Sequence, residues 1–326
     1  MSAPASTIPR VPRAPRVSHR LTVALFVCVT VFTSAPAAAS TWHVAPGGRG
    51  GACSAAAPCA SFDSAYDRAT PGDTVLIAGG TYNGTQRLTG DKRSKTPVFV
   101  KSAPGARVII QGRLDVQADF VRVTGPMQIE DGIDVDNSDT SNPIVGVRIS
   151  GVTAPSSYIE NARELLIARS RLGGVPGQAI VMIGARPMSY RIAFDNVTFY
   201  GNVPTAPTDH LECIFATGVQ GLSVRNSSFS RCGYFNILIG MCCGAERQPS
   251  RLVLEGNQFG ASVCFAGAGG CGQDGRAPYS LMLGTRIEGR SSIRRNYFET
   301  PPSAQAGFES LTADGNTGAA PTAWKR

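Results

Sequence analysis

Apolar and polar positions alternate along much of the chain. In four places the alternation superimposes on a single Phe: Ile192 to Phe199, Leu222 to Phe229, Leu252 to Phe259 and Ser291 to Phe298. Counting back from each Phe, an apolar residue recurs five positions earlier (Phe194, Val224, Leu254, Ile293) and, in three copies, seven earlier (Ile192, Leu222, Leu252). A period of two marks a strand with one buried face. An Asn follows each strand (Asn196, Asn226, Asn257, Asn296), where its amide can bond its own turn and tolerate left-handed geometry. Units spaced 30, 30 and 39 residues from Phe to Phe cannot each bury a face alone, so they stack into a solenoid. Weaker strands are predicted at Val75–Ile77, Val98–Val100, Val108–Ile110, Val121–Val123, Val147–Ile149 and Leu165–Ile167.

One helix interrupts this pattern. Ser61 is its N-cap, and Phe62, Ala65, Tyr66 and Ala69 recur at helical spacing before Pro71-Gly72-Asp73 ends it. Placed ahead of the strands, it reads as a lid on the first coil, whose end would otherwise expose apolar interior and unpaired backbone. Residues 1–39 read as a secretory leader: Arg10, Arg13, Arg16 and Arg20 precede the apolar run Leu21 to Phe32, and Ala37-Ala38-Ala39 supplies small residues for cleavage. An uncleaved anchor is the alternative, but the run is too short to span a bilayer. The expected organisation is a leader over 1–39, an opening strand and capping helix over 40–74, a solenoid over 75–300 and a tail over 301–326.

Composition refines this picture. The formal charge of +8 falls to +4 without the leader's four arginines, and no Lys/Arg stripe of a nucleic-acid binder is present. Beyond Cys28 in the leader, eight cysteines remain: Cys53, Cys59, Cys213, Cys232, Cys242, Cys243, Cys264 and Cys271. An even count in an exported chain argues for disulfides. Zinc is disfavoured, because no CxxC occurs and only His43 and His210 accompany the thiols. Cys53 with Cys59 and Cys213 with Cys232 are the expected first pairs; the other four are left open.

The block Cys53 to Tyr82, the run Asp209-His210-Leu211-Glu212-Cys213 and the segment Val224 to Ile239 resemble secreted actinobacterial proteins of the pectin lyase superfamily. The resemblance implies an all-β, right-handed parallel β-helix with an N-terminal cap, and export. It implies less about chemistry, since that superfamily includes polysaccharide lyases, glycosidases, epimerases and proteins with no assigned reaction.

The candidate chemistry rests on a second alignment. It stacks Gln178–Val181, His210–Cys213, Asn236–Ile239 and Ser280–Leu283, turning Ile180, Glu212, Leu238 and Met282 outward in one column and Gln178, His210, Asn236 and Ser280 in the other. Glu212 among apolar neighbours would have a raised pKa. His210 lies two residues away, and Asp209 could orient it. In a β-eliminating lyase His210 would remove the proton beside a sugar carboxylate, Arg231 or a calcium ion would neutralise that carboxylate, and Glu212 would protonate the leaving oxygen. In a glycosidase Asp209 and Glu212 would form the carboxylate pair. The competing account is a loop clamp in a non-catalytic wall or glycan-binding module. Five acids in ten residues, Glu130, Asp131, Asp134, Asp136 and Asp139, form an oxygen-rich cluster able to bind calcium. No other cofactor is expected, and the expected partner is an extracellular or cell-wall polysaccharide, bound by a secreted monomer without a membrane span.

Overall fold

The computed structural model describes residues 38–320 apart from 93, 138–140, 175–177, 185–186, 202–210, 241–246, 265–270, 272 and 304–306. From residue 39 onward the chain is a right-handed parallel β-helix. Eight short strands form a small sheet whose spatial order follows the chain: Gln86–Thr89, Arg113–Gln117, Gly132–Val135, Ser157–Ile159, Val181–Ile183, Ile214–Thr217, Ile237–Gly240 and Leu281–Leu283. Each coil thus adds one rung. The remaining strands join into a large sheet, because long strands such as Tyr190–Tyr200 turn the corner between two sides of a coil without breaking.

Apolar side chains at alternate positions fill the interior. Phe199, Phe229, Phe259 and Phe298 are buried and stack ring on ring, with centroids 4.6, 4.8 and 4.8 Å apart, and Phe194 meets Phe199 edge-on at 5.6 Å. That spacing is the rung spacing of a parallel sheet, so the repeat places each ring on the next.

The four repeat asparagines divide between two adjacent columns. Asn196 and Asn226 share a left-handed corner with Gly256 and Arg295 (φ 55°, 50°, 66° and 52°). One residue on, Asn257 and Asn296 point inward and continue to Asn316 as a ladder. Asn257 Nδ2 donates to Asn296 Oδ1 at 2.9 Å and Asn296 Nδ2 to Asn316 Oδ1 at 3.0 Å, while the same amides donate to the carbonyls of Val224 and Leu254. Ser227 takes that place one coil earlier, receiving the Val197 N–H. The ladder satisfies backbone groups that the corner leaves without a sheet partner.

Both ends of the solenoid extend beyond the sequence expectation. Thr41–Val44 pairs in parallel with Thr74–Ile77 as the first rung of the large sheet. Helix Phe62–Arg68 is capped by Ser61, whose side chain accepts the Ser64 N–H, and it buries Phe62, Ala65 and Tyr66. Its first turn is tied to the first strand of the small sheet: Phe62 N–H donates to Gln86 Oε1, and Thr89 Oγ1 to Asp63 Oδ1. At the other end Phe308–Asp314, expected within the tail, pairs with Ile287–Arg294, and Phe308 is buried. A single buried Phe and an open sheet edge are enough to hold one more strand there.

Cys53 is bonded to Cys59, Cys213 to Cys232 and Cys264 to Cys271. The first two are the pairs expected from the sequence; Cys242 and Cys243 lie outside the described residues. So does the leader but for its last two residues. No helix among the described residues is long and apolar enough to cross a membrane.

Candidate functional site

The outer face of the small sheet carries one side chain per rung in each column. The register gives the first column as Arg87, Asp115, Asp134, Tyr158, Met182, Phe215, Leu238 and Met282. Its first four positions are charged or phenolic and its last four apolar. Continuing the register two residues on places Asp136 beside Glu160, whose N–H bonds the Val135 carbonyl. Glu160 in turn leans over Gly184: a Cβ there would lie 2.6 Å from Glu160 Oε1. Glycine at 184 therefore makes room for the carboxylate.

These groups converge. Arg113 Nη1 donates to Asp134 Oδ2 at 2.6 Å, Arg87 Nε to Asp115 Oδ2 at 3.3 Å and Gln117 Nε2 to the same oxygen at 3.2 Å. Tyr158 Oη donates to Glu160 Oε2 at 2.7 Å. Burial pushes the Asp136 carboxyl above the usual carboxylate range, and the charges of Glu160, Asp134 and Asp115 push it further. Burial also raises Asp115, against the pull of Arg87 and Gln117. The Tyr158 phenol is raised by burial first, then by its bond to Glu160 and by the surrounding acids. The cluster thus holds a carboxyl biased toward its neutral, proton-donating form beside further carboxylates.

The sequence-derived site is placed differently. Asp209 and His210 lie outside the described residues. Glu212 is 2% exposed and does not stand in the outward column; the residue between Met182 and Leu238 there is Phe215. Relative to Leu238, strand Val181–Ile183 pairs two residues later and strand Ile214–Thr217 three residues later than the alignment assumed. Leu211, Glu212, Cys213 and Ile214 are all buried, so this stretch offers no alternation from which to phase it. Asn236 and Ser280, expected outward, are fully buried and donate to the loop carbonyls of Gly260 and Thr300. Arg231 is exposed at a left-handed corner (φ 56°), just before disulfide-bonded Cys232.

Of the five acids proposed for calcium, Asp139 is outside the described residues and Asp134 is engaged by Arg113. Among the described residues no group of three or more His, Cys, Asp or Glu side chains is arranged to hold a metal ion. Sequence reasoning singled out Asp134 and Asp136 but missed Asp115, Tyr158 and Glu160. The signal was present in Leu114-Asp115-Val116 and Ile133-Asp134-Val135, which occupy equivalent places on successive rungs.

No protein-family model matches the sequence, and no curated protein matches it. Among solved structures, an alginate lyase from Paenibacillus sp. str. FPU-7 superimposes with a TM-score of 0.51 at 16% identity, over 86% of this chain and 98% of the lyase. The two share a fold. Pectate lyase Pel9A matches with a TM-score of 0.41 at 14% identity, over 85% of this chain and 78% of that one. The A-module of the Azotobacter vinelandii mannuronan C-5 epimerase AlgE4 matches with a TM-score of 0.40 at 13% identity, over 80% and 83%.

Proposed function

We propose that this chain is an extracellular glycan-active protein, with the glycan lying across the rungs of the small sheet and Asp136, Tyr158 and Glu160 as its acid–base group. The observation that carries this is the crowding of Asp115, Asp134, Asp136 and Glu160 onto three successive rungs, with Asp136 pushed toward its neutral form. A neutral carboxyl can deliver a proton to a glycosidic oxygen while a neighbouring carboxylate accepts one, the division of labour that glycosidic bond cleavage needs. The apolar stretch Met182, Phe215, Leu238 and Met282 continues the same column and suits the apolar faces of sugar rings. Three disulfides support export to an oxidising compartment.

The bond broken is tested by following both new reducing ends and unsaturated ends on a panel of neutral and acidic polysaccharides. Hydrolysis yields the first alone; β-elimination yields both. Asp136→Asn and Glu160→Gln should each abolish product while leaving the fold intact. Product formation unchanged in both variants would contradict the placement.

A second reading keeps β-elimination at the 209–212 segment, with His210 as base, Glu212 as acid, Asp209 orienting and Arg231 neutralising the sugar carboxylate. Its support is the exposure of Arg231 and the burial of Glu212 beside the Cys213–Cys232 bond. Loss of unsaturated product in Arg231→Ala, with Asp136→Asn fully active, is the result that selects it.

A further inference from the structure

The large sheet carries a groove of about 320 Å³ that the small-sheet site does not use. Its register column runs Phe99, Arg122, Arg148, Leu166, so two guanidinium groups occupy adjacent rungs. In the next column Lys101 is followed by the small residues Thr124, Ser150 and Ala168, which leaves the strip between open. Arg169 closes it at the far side. Lys101 Nζ stands 4.6 Å and Arg122 Cζ 5.6 Å from the centre of the Phe99 ring. That ring holds both cations in place without neutralising them. Among the described residues no carboxylate pairs with Lys101, Arg122, Arg148 or Arg169. The nearest acid along the columns is Asp195, one rung past Ala168, and it accepts the Asn226 amide at 2.9 Å.

We propose that this groove is a second glycan site, separate from the small sheet, that takes a polyuronate strand running across the rungs. Successive rungs lie about 4.8 Å apart, close to the length of one pyranose unit in an extended chain. Arg122 and Arg148 can then each meet the carboxylate of a successive sugar, with the forked, charge-assisted geometry that guanidinium groups favour. Phe99 and Leu166 supply apolar surface at the two ends. A neutral glycan has no use for four unneutralised cations. The assignment does not depend on the role given to the small sheet.

The test is calorimetric titration of the whole protein with an oligogalacturonate of defined length and with a neutral cello-oligosaccharide of equal length. The oligogalacturonate should bind, more weakly as salt rises, and the neutral chain should not. Arg122→Ala with Arg148→Ala should weaken binding by roughly tenfold or more. The double lysine variant should retain part of it, and Arg225→Ala, which removes a paired cation of the same sheet, should leave it unchanged. Melting temperatures confirm that each variant is folded. The proposal is overturned by absent binding, by equal binding of the neutral chain, by an unaffected double alanine variant, or by tighter binding of a sulfated or phosphate-bearing polymer of equal charge.

Discussion

On the outside of the large sheet, Asp195, Arg225, Glu255, Arg294 and Asp314 alternate in sign from rung to rung. On the small sheet, Asp115, Asp134, Asp136 and Glu160 bring four acids onto three rungs. On both sheets successive rungs set the side chains of a column about 4.8 Å apart. The charge patterns differ, and so do the consequences. In the alternating column Arg225 meets Glu255 at 2.6 Å and Arg294 meets Asp314 at 3.5 Å. In the crowded one two aspartates are pushed up in pKa. A solenoid neutralises its outer surface simply by alternating charge, so a stretch that concentrates like charge at a cost in stability marks a place where something other than stability has shaped the sequence.

The comparison presumes a rigid scaffold common to both faces. Phe229→Ala opens the ring stack between Phe199 and Phe259 and should cost about 3–5 kcal/mol in denaturant unfolding; a loss under about 1 kcal/mol would show that the stack does not fix the rungs. Asn257→Ala breaks the buried amide ladder and strands the Ser227 N–H and the Val224 carbonyl. It should cost about 1–3 kcal/mol, with the unfolding midpoint as readout.

The two columns should then part company. Arg225→Ala removes a favourable cross-rung pair and should destabilise by up to about 1 kcal/mol, less at high salt. Asp136→Asn removes a member of the crowded set and should stabilise by about 0.5 kcal/mol at neutral pH. Its sign follows from linkage. With its pKa raised in the fold, Asp136 contributes stability that is present below the ordinary carboxylate range and lost as pH rises through the raised value. The Asn variant should lack that loss, so its stability curve should fall less than the parent's between mildly acidic and neutral pH. Destabilisation by Asp136→Asn would make the crowded column as structural as the alternating one.

The interior was legible in the sequence because every copy of the repeat ends on the same letter: the Phe ring and the apolar position five earlier face inward each time, and an apolar residue stands seven earlier in three of the four copies. The asparagines were legible only in part. A left-handed corner and an inward amide ladder are neighbouring positions that both favour Asn, so Asn196 and Asn257 look equivalent until the rungs are paired. The small-sheet site was least legible. Its column runs Arg87, Asp115, Asp134, Tyr158, Met182, with only one residue type repeated, and Glu212 was turned outward because four consecutive buried residues erase the period that would have phased it.

The central claim, that the small sheet concentrates acid to hold a proton for chemistry, is tested most directly by following the Asp136 side-chain carboxyl by NMR through a pH titration. The account predicts a midpoint above the usual carboxylate range that moves back toward it in Glu160→Gln, when a neighbouring charge is removed. A midpoint in the ordinary range, unmoved by Glu160→Gln, would contradict it.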